Sequence, residues 1–236
     1  MNPIAAFDFC GTQLIADAEG ALIWLDQSLL VVADLHLEKG SAYGASGTFL
    51  PPYDSRTTLQ RLETLLANYS PKTVVCLGDS FHDTCAGARM ATTDLKKLSD
   101  LTCEREWVWV AGNHDPSLPV GLGGSIEGIF ELGPVKFRHE AADGVVYGEV
   151  SGHYHPKARI RSRGRTMSCR CFVTDGRRLI LPAFGAYAGG LNVLDPALGA
   201  ILGCNLVVYA LRNGFVHKVG RRSLATELEP AQSALV

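Results

Sequence analysis

Three short, strand-like apolar runs in the first half of this 236-residue chain each end on side chains that bind metals or move protons. Residues 29–33 run into Asp34-Leu35-His36, residues 73–77 into Gly78-Asp79, and residues 106–111 into Gly112-Asn113-His114-Asp115. Polar groups delivered by the ends of strands can converge on one small volume. Two further elements follow, His139 and Gly152-His153-Tyr154-His155, so five of the seven histidines fall in one ordered pattern. An isolated histidine is more often a hydrogen-bonded structural group than a ligand; it is the joint order that argues for a site. Carboxylate, amide and imidazole donors without cysteine suit divalent Mn, Fe or Zn, and the set reads as a two-metal hydrolytic centre.

The surrounding pattern predicts an α/β fold of two packed mixed sheets flanked by helices. Residues 21–25 and 29–33, joined by Asp26-Gln27-Ser28, read as a β-hairpin. After Pro51-Pro52, Asp54 or Ser55 can cap a helix whose Leu59, Leu62, Leu65, Leu66 and Tyr69 recur at helical spacing. Residues 93–101 read as a second amphipathic helix. From about residue 129 strand follows strand: 135–139, 145–150, 158–163, 169–174, 178–181, and a last hairpin of 205–211 with 215–219. Asp175-Gly176 and Asn213-Gly214 are turn signals within that series. Helices interleaved early and consecutive strands late point to two layers of sheet with helices outside. The whole is expected to be one domain, with its motifs in 30–156, C-terminal strands in 157–219 and a frayed tail over 223–236.

Composition narrows the function classes. A formal charge of −2 carries no global signature of nucleic-acid or membrane binding, and no apolar run approaches the ~20 residues that span a bilayer. The N-terminus lacks a basic stretch followed by an apolar core, so no signal peptide is expected. Seven cysteines, several inside apolar runs, read as free buried thiols of a cytoplasmic protein. Cys169-Arg170-Cys171 alone is a weak zinc signal.

The ordered motifs resemble the calcineurin-like metallophosphoesterase superfamily. Residues 33–40 (Ala-Asp-Leu-His-Leu-Glu-Lys-Gly), Leu50-Pro51-Pro52-Tyr53-Asp54, Gly78-Asp79-Ser80-Phe81-His82-Asp83 and Leu181-Pro182-Ala183-Phe184-Gly185-Ala186-Tyr187 further resemble one bacterial branch. That branch comprises ligase-associated DNA-damage-response phosphodiesterases or endonucleases. The resemblance implies one metal held by Asp34, His36 and His155, a second held by Asn113, His139 and His153, and the Asp79 carboxylate bridging the two. It implies His114 facing the leaving-group oxygen, with Asp115 orienting its imidazole. The cofactor expected is a pair of divalent ions, Mn2+ first, with Fe or Zn as alternatives. Two metals roughly 3.5–4 Å apart can acidify a shared water and hold the resulting hydroxide in line with phosphorus, so no enzyme nucleophile is needed.

The candidate substrate contacts are Lys39, His82, Arg159 and Arg161. Lys157, Arg159, Arg161, Arg163 and Arg165 occupy alternate positions, with Arg170 beyond. On a strand the five would share one face and could follow a DNA backbone; a charged, solvated edge strand is the plainer reading. Lys39 and His82 likewise divide between substrate contact and structural roles. Tyr187 and Phe184 offer rings on which a base could stack. The leading function is a metal-dependent DNA phosphodiesterase or endonuclease in repair, with DNA as partner and, by resemblance, a ligase or helicase system alongside. The alternative is a phosphatase or phosphodiesterase for small nucleotides or other small phosphoesters. A non-catalytic scaffold would be expected to lack ligands, and no ligand position is missing here.

Overall fold

The computed structural model describes residues 2–226 apart from 49, 115–118, 120, 163 and 164. Asp115 and Arg163 therefore lie outside the described residues, as do positions 227–236 of the tail.

The chain opens with an antiparallel hairpin, β1 (Ile4–Phe9) and β2 (Thr12–Asp17), that the sequence reading did not include. The expected hairpin follows as β3 (Leu22–Trp24) and β4 (Leu29–Ala33). Then come α1 (Lys39–Ala45), α2 (Asp54–Tyr69), β5 (Thr73–Leu77), the single turn α3 (Ala86–Arg89), α4 (Thr92–Cys103) and β6 (Glu106–Val110). The second half holds β7 (Ser125–Glu127), β8 (Ile129–Leu132), β9 (Val135–Arg138), β10 (Glu149–Ser151), β11 (Lys157–Ser162) and β12 (Arg165–Thr174). It closes with β13 (Arg178–Ile180), α5 (Pro196–Ile201), β14 (Val207–Arg212) and β15 (Phe215–Gly220).

Two mixed sheets result, as expected. The first has seven strands in chain order, β1 to β7; the second has eight, ordered β15-β14-β12-β13-β10-β9-β8 with β11 added on β12. Period-two alternation of apolar side chains builds the layers. In β4, Leu29, Val31 and Ala33 face the core between the sheets, while Leu30 and Val32 face the helices. Leu59, Leu62, Leu65 and Leu66 of α2, with Leu98 and Leu101 of α4, cover that outer face. On the far side, Leu198 of α5 covers Cys171, Val173 and Ile180 of the second sheet.

Register is what positions the motifs. β4, β5 and β6 run parallel, with Ala33 beside Leu77 and Leu77 beside Val110. The three polar clusters that follow thus leave the sheet at one level. In the second sheet β9, β10 and β13 are parallel, with Arg138 beside Ser151 and Ser151 beside Ile180. His139, Gly152 and Leu181 leave at one level in turn. A bridge between Ala33 and Ala183, with the Phe184 N–H donating to the Ala33 carbonyl at 2.8 Å, brings the two sets of strand ends together.

Several expectations need correction. Asp54 and Ser55 do not cap α2 with their side chains; Asp54 instead accepts from the Gly40 N–H at 2.9 Å and Ser55 donates to Glu38 at 2.7 Å. The strand expected over 145–150 shrinks to Glu149–Ser151, and Val145 stands 75% exposed. The preceding loop is held by the Arg178 guanidinium, which donates to the carbonyls of Ala142 and Gly144. The described start of the tail is docked: Leu224 bridges Ile160, and the Ala225 N–H donates to the Arg159 carbonyl at 2.8 Å.

Candidate metal centre

Five strand ends from two sheets supply the candidate ligands, and the backbone there takes a conformation most residues avoid. Asp34, His36, Asp79, His153 and His155 all have positive φ, between 43° and 68°. Left-handed backbone costs energy for a residue with a Cβ and persists where the surroundings impose it. Here the loops are laced together. The His36 and Leu37 N–H groups donate to the Asp79 and Ser80 carbonyls, His82 N–H to Leu37, and Gly152 N–H to His139, all at 2.9 Å. Gly152 cannot carry a side chain, since a Cβ would lie 2.6 Å from Asp34 Oδ2. Gly78, at φ +66°, would drive one into the His139 ring.

The result is two groups, Asp34 with His36 and His155, and Asp79 with His139 and His153, each offering ligand atoms within 4.8 Å of one another. In the first, His36 Nε2 lies 3.2 Å from His155 Nε2, which is 3.3 Å from Asp34 Oδ1. In the second, His139 Nε2 lies 3.5 Å from Asp79 Oδ2 and 3.1 Å from His153 Nδ1. The groups adjoin, with Asp34 Oδ1 3.7 Å from His139 Nδ1. Asn113 brings its amide to 3.5 Å from His153 Nδ1, and a half-turn of that amide presents its oxygen to the same place.

This donor set fits divalent cations. His36 is buried and its Nδ1 has no hydrogen-bond partner among the described residues. Burial, then the neighbouring His155, holds its imidazole down to about 3, so the ring stands neutral, the form in which an imidazole can bind a metal. His139 Nδ1 lies 3.0 Å from the Leu77 carbonyl. A carbonyl only accepts, so that nitrogen carries the hydrogen and Nε2 is turned toward the site, the backbone orientation typical of liganding histidines. Burial pulls His139 down, but the Asp79 hydrogen bond and the Asp34 charge reverse this and lift it to about 9. Burial would raise the Asp79 carboxyl, yet hydrogen bonds from His139 and the His114 backbone hold it well below the carboxylate range. Positive charge is favoured between Asp34 and Asp79, and a cation meets that demand.

Around this cluster the other candidates divide. His114 is half-exposed, its backbone N–H donates to Asp79 Oδ1 at 2.9 Å, and its Nε2 lies 3.9 Å from Asp79 Oδ2. Its Nδ1 is 3.1 Å from the His82 carbonyl, which orients the ring in the way expected of Asp115. His82 packs against the rings of both His36 and His114. Burial, then the Lys39 charge, holds its imidazole below the usual range. Lys39 itself opens α1 directly after the first motif.

Arg159 and Arg161 stand on β11, on the face opposite Ala158 and Ile160, which join the outer core. The basic ribbon is shorter than expected, because Arg165 begins the return strand β12 and pairs with Ser162. Arg170 is turned inward. Its guanidinium donates to the Ala183 carbonyl at 3.0 Å, and burial lowers it to about 10. Phe184 is fully buried beneath Arg61 and offers no ring to a base; the Tyr187 hydroxyl donates to the Pro51 carbonyl. Cys169 and Cys171 pack in the outer core and join neither metal group. Two residues near the site escaped the sequence reading. Glu140 brings Oε1 to 3.8 Å from His153 Nε2, and its signal was its place directly after His139. Tyr43 reaches His82, and its signal was the four-residue spacing from Lys39.

A calcineurin-like phosphoesterase profile matches residues 28–177, a stretch that contains every candidate ligand. Two mixed sheets with this cluster at their strand ends are the arrangement of a metal-dependent phosphoesterase, a hydrolase of ester bonds. The chain belongs to the calcineurin-like phosphoesterase family. It is similar to the crystal structure of Pseudomonas putida nuclease MPE, with TM-score 0.70 and 26% identity over 92% of this chain and 100% of the other. Yfce, a phosphoesterase from E. coli, aligns at TM-score 0.41 and 16% identity over 81% of this chain and 98% of its own. No curated protein sequence matches. Among the described residues no helix is long and apolar enough to cross a membrane.

Proposed function

We propose that the protein is a dinuclear phosphodiesterase acting on DNA, with Asp34, His36 and His155 holding one divalent cation and Asn113, His139 and His153 the other. Asp79, which groups with His139 and His153, would be the carboxylate shared between them. The observation that carries this reading is the adjacency of the two ligand groups, each within 4.8 Å, across the Asp34–His139 contact. Mn2+ is the first candidate, with Fe2+ and Zn2+ as alternatives, since oxygen and imidazole donors without thiolate suit all three. A pair of cations there would supply a more acidic water and neutralise charge on the phosphoryl oxygens.

The chain's own residues account for the rest. His36 presents a lone pair because burial keeps its ring neutral, while the Leu77 carbonyl fixes the His139 Nδ1 hydrogen, so a cation bound there would take the place of the proton on Nε2. His114 keeps its Nδ1 hydrogen on the His82 carbonyl, so the second proton of its imidazolium form, carried on Nε2, is the one that would pass to the departing oxygen. Glu140 places a carboxylate 3.8 Å from His153 Nε2, beyond hydrogen-bond reach, so its charge is what it offers that ring. DNA is favoured over a small phosphoester by the likeness to a nuclease at 26% identity and by the cationic face of β11 beginning two residues after His155. A role in DNA repair rests on the branch-like loops around Leu50–Asp54 and 181–187. Free thiols throughout suit the cytoplasm.

The test uses chelator-treated protein reloaded with Mn2+, Fe2+ or Zn2+ in turn and offered a labelled oligonucleotide. Cleavage that returns with metal, at two ions per chain, supports the proposal. Metal-independent cleavage, or a single bound ion at full activity, overturns it.

A further inference from the structure

Beside the ligand cluster stands a short helix whose anchoring is out of proportion to its length. α1 spans seven residues, too few to be stable by itself. Glu38 at its start is buried, its N–H donates to Ser55 Oγ at 2.8 Å, and its carboxylate accepts from the same hydroxyl. Asp54, also buried, accepts from the Gly40 N–H. Ser41 accepts from Arg89 at 3.1 Å, and Arg89 is itself fixed by Asp83 at 2.7 Å. Buried polar groups of α2 and the part-buried Arg89 of α3 thus hold about two turns of helix at the rim of the site.

What this helix displays is Lys39 and, four residues on, Tyr43, a spacing that places both on one face. The Tyr43 ring is 38% exposed. Its centroid lies 5.8 Å from that of His82, which is 5.7 Å from His114 and 6.0 Å from His36. A row of rings therefore runs from solvent to the first ligand group. The Lys39 ammonium sits 5.9 Å from the Tyr43 centroid, near the outer limit of a cation–π contact, so it is free to turn to an anion while the ring receives a flat group.

We infer that Lys39 and Tyr43 form a nucleotide subsite next to the metal centre, in which Tyr43 stacks on the base beside the scissile phosphate and Lys39 takes the adjoining backbone phosphate. The inference rests on the phosphodiesterase reading above and adds a base-recognising element to it. The ligand class follows from the pairing: an aromatic face accepts any base, and an ammonium one residue-length away accepts its phosphate. The rigid mounting lowers the cost of ordering the platform on binding.

The test measures binding of fluorescent oligothymidylate, and of an abasic strand of the same length, to the full-length protein in chelator by anisotropy. Wild type is expected to prefer the base-bearing strand by about tenfold. Tyr43→Ala removes that preference and Tyr43→Phe keeps it. Lys39→Ala weakens both strands alike and lowers the salt slope by about one. A wild type indifferent to bases, a Tyr43→Ala protein that keeps the preference, or a Tyr43→Phe protein that loses it overturns the inference. Metal-loaded wild type that cuts no oligonucleotide sinks the phosphodiesterase reading; wild type that cuts while Tyr43→Ala keeps its base preference sinks only the subsite.

Discussion

The His114 ring hangs from the carbonyl of His82, with Nδ1 3.1 Å from that oxygen and the two rings 17° from parallel. The bond commits the Nδ1 hydrogen and turns Nε2 toward Asp79, so a backbone atom on the loop after β5 fixes the ring orientation of a histidine on the loop after β6. On the proposed reading, His114→Ala removes the proton donor to the leaving oxygen and leaves every proposed ligand in place. Turnover is expected to fall by roughly 10²–10⁴-fold while metal content by mass spectrometry stays at the wild-type level. Equal loss of metal would assign His114 to the ligand set instead.

Asp79 meets the His114 N–H and His139 and lies close enough for its charge to act on His36. Asp79→Asn keeps the shape and removes the charge. Calorimetric titration with Mn2+ is expected to show the stoichiometry drop below two, with cleavage abolished. Full occupancy in the variant would exclude a bridging role.

Gly78 has no room for a methyl group against the His139 ring and sits at positive φ. Gly78→Ala should cost about 1–3 kcal/mol of stability from the strained backbone alone, and the displaced imidazole should weaken the second metal site more than the first. Thermal melts with and without Mn2+ measure both: the metal-induced rise in Tm shrinks in the variant.

Behind His139, Glu149 and Arg178 form an ion pair at 3.3 Å, with side chains 2% and 4% exposed. Removing one member of a buried pair strands the other charge and costs about 3–5 kcal/mol. Glu149→Leu is therefore expected to unfold at clearly lower denaturant concentration. Because Glu149 also accepts from the Ala142 N–H, protease should cut the 140–147 loop faster than in wild type.

On β11, Arg159→Glu and Arg161→Glu together should flatten the dependence of DNA affinity on salt, since each lost phosphate contact removes about one unit of slope. Filter binding across a salt series reads this directly. An unchanged slope would make the face a solvated edge.

The helix α2 was legible from residue spacing because Leu59, Leu62, Leu65 and Leu66 repeat at a helical period, and all four are buried where the pattern put them. β4, β5 and β6 were legible as short apolar runs, buried on both faces of the sheet, which is equally a local property. β1 and β2 were not. β1 is the edge of its sheet, and its exposed positions include apolar Ile4 and Ala6, which breaks the apolar/polar alternation that would mark a half-buried strand. Val145 and Tyr147 mislead in the opposite way, apolar yet exposed, because Arg178 and Glu149 hold that segment as a loop.

The order of the polar clusters, the residue types that suit hard cations and the strands that carry them are all encoded by near neighbours along the chain, and reading them needs no coordinates. Which ring nitrogen faces the centre, which arginine turns inward and which tyrosine stands beside the histidines depend on partners far away in sequence. Leu77 acts on His139, Ala183 captures Arg170, and Asp54 with Ser55 seats the helix that presents Tyr43. A hydrogen bond across 62 residues forms only when the sheets have packed, so no local pattern could announce it.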